Sequence, residues 1–242
     1  MTGVQTCALP IFDTAGLFDS IEHGQKVLAD PAIRARLATF GEAAGVEPLL
    51  TYLNGDLMIV STKPIRKVDD FKGMKIRTAG GTPLHNEPLK SLGASPVSLP
   101  LGEVLPALQN KAIDGATAIH AVFIPFKYYD VAKTATYVPK SFVVASGLVN
   151  RKWMKSLGPE LEAIVREEAR RHETLFTSYG VPDTVRLKEA WEKNGGENIT
   201  LPPDEAAKFL DAVGKVVPTV TARNAKFKED YDAFVEAAKK HR

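Results

Sequence analysis

The chain has little of what usually marks a catalytic or metal-binding protein. Its one cysteine is Cys7, so cysteine usage leaves the redox compartment unread. Charge of either sign is not in excess: 31 Lys and Arg stand against 29 Asp and Glu, a net charge of +2. The basic residues are also dispersed, which argues against a nucleic-acid partner. No apolar run approaches the roughly 18–20 residues that a membrane-spanning helix needs. His23, His85, His120, His172 and His241 are scattered without the spacing of a metal site, and no cofactor is expected. Gly-x-Gly-x-x-Gly and Gly-x-x-x-x-Gly-Lys-Ser/Thr loops are absent, and Gly80-Gly81 alone is weak support for phosphate binding. No Gly-x-Ser-x-Gly elbow marks a nucleophile. What remains is a chain of 242 residues, 44% hydrophobic and 25% charged, long and apolar enough to bury one or two cores.

Residues 70–115 carry most of the information. Here Asp70, Gly73, Lys75 and Arg77 are followed by Leu92-Gly93-Ala94, Pro96-Val97, Glu103, Ala107-Leu108-Gln109 and Asp114-Gly115. Met74 and Ile76 alternate with Lys75 and Arg77, the period of a strand with one apolar face. Residues 83–92 suit a short helix with Leu84, Leu89 and Leu92 near one face, ended by Gly93 as a left-handed cap. A strand is expected over 95–99, a helix over 103–109 and a third strand over 112–119. Strands alternating with short helices predict a mostly parallel sheet, in which ligands sit at the carboxyl ends of strands. Arg77 stands at such an end. A guanidinium there is either a two-pronged carboxylate clamp, or an ordinary surface or ion-paired arginine.

The ordered set of residues just quoted resembles the extracytoplasmic solute-binding subunit of tripartite ATP-independent periplasmic (TRAP) transporters, the DctP type, and the likeness extends from about Phe12 to the C-terminus. The resemblance implies an α/β, two-lobed fold like that of periplasmic binding proteins, with mixed, mostly parallel sheets and a long helix behind both lobes. It implies capture of a small organic acid in an interlobe cleft, delivery to small and large integral membrane subunits, a periplasmic location, no enzymatic activity and a monomer. Arg77 falls on the family's carboxylate-clamping arginine. The implied ligand set is Arg77, Leu101, Thr117, Ala118, His120 and Phe123. A second basic ligand residue often found in the family is replaced by Asp56-Leu57, and Ala118 offers no hydrogen bond where a polar group is common. A ligand with one carboxylate and an apolar body is therefore expected. His120 and Phe123 each keep a second reading, as core or packing groups.

The first residues, Met1 to Ile11, look like the in-frame translation of a sequencing-adapter oligonucleotide, so 1–11 is expected to be an artefactual leader making few contacts. On that reading the first lobe is incomplete. The expected organisation is 12–54 as the remainder of lobe I, 55–141 as lobe II with Arg77, 142–182 as lobe I with the long helix, and 183–242 as returning segments of lobe II and C-terminal helices.

Outside the motif, residues 20–39 read as two helices, the second opened by Pro31. Strands are expected over 49–53 and 57–61, separated by Asn54-Gly55 as a turn. A helix is expected from Tyr128 and a returning strand over 141–150. A long helix opens at Pro159 with an apolar stripe through Leu161, Ile164, Val165, Ala169, His172, Leu175, Phe176 and Tyr179, interrupted or kinked at Pro182. A short strand over 199–201, a helix capped by Asp204 and a last helix with a basic end complete the chain. Two other readings stay open: a small α/β enzyme acting on a carboxylated substrate with His120 as base, and a periplasmic sensor or scavenger working without a transporter.

Overall fold

A computed structural model describes residues 11–12 and 14–242, with the side chains of 174 and 177–182 outside that description. Two short helices open it, α1 (Ile21–Ala29) and α2 (Pro31–Thr39). Ser20 caps α1 by accepting from the His23 amide at 3.1 Å. Asp30 caps α2 by accepting from Ala32 at 2.9 Å, and Pro31 sits at the first helical position, where its missing N–H costs nothing.

The expected hairpin at Asn54-Gly55 does not form. One 16-residue strand, β1 (Val46–Ser61), runs straight through it and pairs antiparallel with the 17-residue β5 (Thr134–Asn150) along its whole length. The register slips between Leu53 and Gly55 and again between Asp56 and Met58. Gly55 adopts φ 143°, a conformation open to glycine, and so makes a bulge where a turn was expected. The long-range partner decides the matter, because β5 continues to offer hydrogen bonds on both sides of the bulge.

Between these strands lie β2 (Lys75–Thr78), α3 (Pro83–Ser91), β3 (Ser95–Ser98), α4 (Val104–Gln109), β4 (Gly115–Ala118) and the single-turn α5 (His120–Phe123). Gly93, at φ 83°, closes the turn after α3 as expected. The sheet order is β3-β2-β4-β1-β5-β6, with β6 at Glu197–Ile199. The β2/β3, β2/β4 and β5/β6 pairs are parallel; the two pairs made by β1 are antiparallel. A 3₁₀ turn, Tyr128–Asp130, stands where a helix was expected.

After β5 come α6 (Arg151–Ser156), the 36-residue α7 (Gly158–Lys193), α8 (Pro203–Thr221) and α9 (Ala225–Lys240). The interruption expected at Pro182 does not occur: α7 continues as one helix through that position. Pro202, rather than Asp204, holds the cap position of α8, and Asp204 sits in its first turn. The stripe expected along α7 is not uniformly covered: Ala169 is buried, but Leu161, Ile164, Leu175 and Phe176 are 40–53% exposed.

Three apolar clusters pack around the sheet. The first gathers Ile11, Phe12, Phe18, Leu53, Phe142 and Phe234. The second holds Met58, Val60, Phe123, Tyr128 and Trp191, and the third Ile59, Ile65, Phe71, Ile76 and Phe209. Met58 and Val60 face one side and Ile59 the other, the period-two alternation of a strand buried on both faces. β1 and β5 thus serve all the cores, and the expected lobe boundaries at 54/55 and 141/142 fall inside them. Ile11, expected to make few contacts, is fully buried in the first cluster; residues 1–10 lie outside those described.

Candidate functional site

Arg77, next to last in β2, lies between two parallel neighbours, opposite Val97 of β3 and Ala116 of β4. Its Nε donates to Leu99 O at 2.9 Å and its Nη1 to Thr117 O at 3.3 Å. The Thr117 hydroxyl returns a hydrogen bond to Arg77 O at 3.1 Å. The guanidinium is thereby pinned while, among the described residues, several of its five N–H groups find no partner. Arg77 is 4% exposed, and among the described residues no carboxylate pairs with it. Burial pushes its pKa down, opposed by the nearby Tyr128. Tyr128 is fully buried, its hydroxyl has no hydrogen-bond partner among the described residues, and its pKa is raised by burial and partly restored by Arg77.

Arg77 opens on a cavity of about 390 Å³, within the range of small-molecule sites. Leu101, Thr117 and Ala118 line it together with Leu57, so four of the six residues expected at the site meet there. The remaining wall is largely apolar and comes from distant parts of the chain: Leu84 and Leu89 of α3, Val143 of β5, and Phe209, Val213 and Val217 of α8. Thr14 and Asn54 add polar groups. Sequence reasoning missed Thr14, Val143, Phe209 and Val217, because no local pattern reports on a contact made across 60 or more residues of chain; Leu84 and Leu89 were legible, as part of the apolar face of α3.

His120 and Phe123 lie outside this cavity. Phe123 is fully buried, its ring 5.8 Å from Trp191 and 5.9 Å from Tyr128. His120 is buried among Phe123, Tyr137 and Trp191. Its Nε2 lies 2.8 Å from Asn198 Oδ1, and Asn198 in turn donates to Glu192 at 3.0 Å. That chain makes His120 Nε2 the donor, and burial holds its pKa down. His120 borders instead a separate small cavity of about 20 Å³, together with Asn54, Asp56 and Leu187.

A larger groove of about 620 Å³ lies between α1, α2, β1 and α7. Its buried charge, Glu173, is already satisfied by Arg34 at 2.6 Å and by the Thr51 amide at 2.6 Å. In the Arg77 cavity, by contrast, the buried guanidinium has no carboxylate partner among the described residues. Among the described residues there is no group of three or more His, Cys, Asp or Glu side chains able to hold a metal ion, and no helix is long and apolar enough to cross a membrane.

Residues 4–224 match the family described as bacterial extracellular solute-binding protein, family 7 (DctP). The C4-dicarboxylate-binding periplasmic protein DctP of Rhodobacter capsulatus is 29% identical over 221 residues, covering 84% of this chain and 65% of that protein. The 2,3-diketo-L-gulonate-binding periplasmic protein YiaO of Escherichia coli is 25% identical over 208 residues, covering 86% and 62%. The crystal structure of a TRAP periplasmic solute binding protein from Xanthobacter autotrophicus Py2, with bound β-D-galacturonate, superposes with a TM-score of 0.85 at 26% identity, covering 95% of this chain and 76% of that one. The chain spans about three fifths of the length of the curated relatives that it matches.

Proposed function

Because this chain belongs to the family 7 bacterial extracellular solute-binding proteins, we propose that the Arg77 cavity captures the carboxylate of a small organic acid. The observation that carries this reading is a guanidinium 4% exposed, anchored by two carbonyls and lacking a carboxylate partner among the described residues. A buried cation of this kind is costly until an anion reaches it. The relatives are named for acids as well: a C4-dicarboxylate, 2,3-diketo-L-gulonate and galacturonate.

The walls distinguish this site within that chemistry. Leu57, Leu84, Leu101, Ala118, Val143 and Val217 offer no partner for a second charge, so a dicarboxylate would be desolvated at one end without return. Monocarboxylates with an apolar or aromatic body are the preferred class. In this role the protein works in the periplasm, and a ligand that touches both sides of the cavity favours closure by its greater affinity for the closed form. The loaded protein then delivers its acid to the small and large membrane subunits of a TRAP transporter.

Titration calorimetry of the protein with monocarboxylates tests the clamp. Loss of a buried charge-assisted pair costs about 2–5 kcal/mol, so Arg77→Ala should weaken binding by at least about 30-fold. Arg77→Lys should also weaken it, because an ammonium lacks the planar fork. Unchanged affinity in Arg77→Ala would remove Arg77 from the site. Succinate or malate binding more tightly than every monocarboxylate tried would sink the proposed preference.

A further inference from the structure

One face of α7 carries large apolar side chains in contact with solvent. Ala169 and Glu173, four residues apart, are buried and mark the side of the helix that packs on the molecule. On another side Leu161, Ile164, Leu175 and Phe176 are exposed, and Phe176 is held there by stacking on Tyr52, with ring centroids 4.7 Å apart. Glu168 and Arg171 stand between them in sequence, both exposed, and Arg171 Nη2 donates to Glu168 Oε2 at 2.5 Å. Leu161, Ile164, Glu168, Arg171 and Leu175 follow one another at steps of three, four, three and four residues, the spacing of a seam along which two helices meet.

The order of residues along that seam is complementary to its own reverse. Positions 164 and 175 are equally distant from a midpoint between 169 and 170, and so are positions 168 and 171. A second α7 laid antiparallel about that midpoint sets Ile164 against the partner's Leu175 and Glu168 against the partner's Arg171. Two-fold symmetry makes each contact twice. A parallel pairing would set glutamate against glutamate and arginine against arginine, so charge selects the antiparallel arrangement.

We propose that this face of α7 is a self-association surface, and that its occupant is a second copy of this chain docked antiparallel across Ile164, Glu168, Arg171 and Leu175. Such a dimer departs from the monomer that the family resemblance implies. None of the described residues lining the Arg77 cavity belongs to α7, so pairing leaves both cavities free. From Leu161 to Leu175 the seam is about 21 Å long at 1.5 Å per residue. That is a small interface, and the dimer is accordingly a weak one, with a Kd on the order of 100 µM or tighter.

Sedimentation equilibrium over about 1–500 µM protein tests this, with the apparent mass expected to rise from 26.3 kDa towards twice that value. Ile164→Glu, at an exposed position, should keep the chain folded and monomeric throughout. Glu168→Arg or Arg171→Glu alone sets like charges against each other across the seam and should weaken association at least about tenfold. Mixed in equal amounts, those two variants should pair with each other, because each carries the charges that the other lacks; a merely structural role for the Glu168–Arg171 pair would give no such rescue. A mass that stays at that of one chain at every concentration would overturn the proposal. So would a dimer that survives in Ile164→Glu, single charge reversals without effect, or a mixture of the two that fails to associate.

Discussion

Replacing Arg77 by methionine should make the ligand-free protein more stable while abolishing the acid binding proposed for it. The guanidinium is 4% exposed and has no carboxylate partner among the described residues; a buried ion without compensation costs several kcal/mol even after relaxation. Against this stand its two hydrogen bonds, to Leu99 O and Thr117 O. Each contributes about 1.5 kcal/mol, the low end for a charged donor. With a penalty of about 5 kcal/mol and an offset of about 3 kcal/mol, methionine of similar length should gain about 2 kcal/mol. In a chain of this size that corresponds to a rise in Tm of about 4–8 °C. Calorimetric melting of the two proteins without ligand, supported by urea titration, measures it directly. A loss of more than about 1 kcal/mol would refute the reasoning, because it would mean that the protein already compensates the charge and that no anion is called for.

Asp56 has its pKa raised above the ordinary 3.8 by desolvation. Its contribution to stability is therefore present below that pH and lost as pH rises, so Asp56→Asn should raise Tm at pH 7 with a gain that disappears below pH 3.8. Asp30 is the opposite case, since Lys240 at 2.8 Å, His241 at 2.9 Å and the Ala32 amide hold its carboxyl well below 3.8. Its stabilisation is present above pH 3.8 and lost as the pH falls further, and Asp30→Asn should lower Tm at pH 7 but little in strong acid. A Cβ at Gly196 would lie 2.3 Å from Trp191, which is fully buried. Gly196→Ala should accordingly cost about 1–3 kcal/mol by overpacking, read as a lower urea midpoint at constant slope.

Local patterns made a good part of this legible. The alternation around Met74 and Ile76, the helix start at Pro31, the left-handed Gly93 after α3 and the helices of residues 20–39 all appear as read, because each depends on neighbours within a few positions. Asn54-Gly55 was misread because glycine with positive φ serves turns and bulges alike, and only pairing with β5, some 90 residues away, separates them. The α7 stripe was misread for a related reason: spacing shows that Leu161, Ile164 and Phe176 share a face, but says nothing about whether another element covers it. At the site, Arg77 was legible from its place at a strand end, and Thr117 and Ala118 were legible only through the family resemblance. Thr14 and Val217 were not, since chain topology alone brings them there, and His120 and Phe123 sit one layer behind the wall that their motif borders.

The ladder between β1 and β5 also constrains the order in which this chain can assemble. Its inner end joins Ser61 to Thr134, 73 residues apart, and further along Thr51 meets Ser146 across 95 residues. Closing a longer loop costs more conformational entropy, so zippering is favoured from the inner end outward, and the rate is governed by how fast the intervening residues compact. Those residues contain Arg77, Thr117 and their whole hydrogen-bonded frame. The Arg77 end of the cavity thus lies inside the loop and is expected to form before the outer rungs that bring Val143 and the first cluster into place.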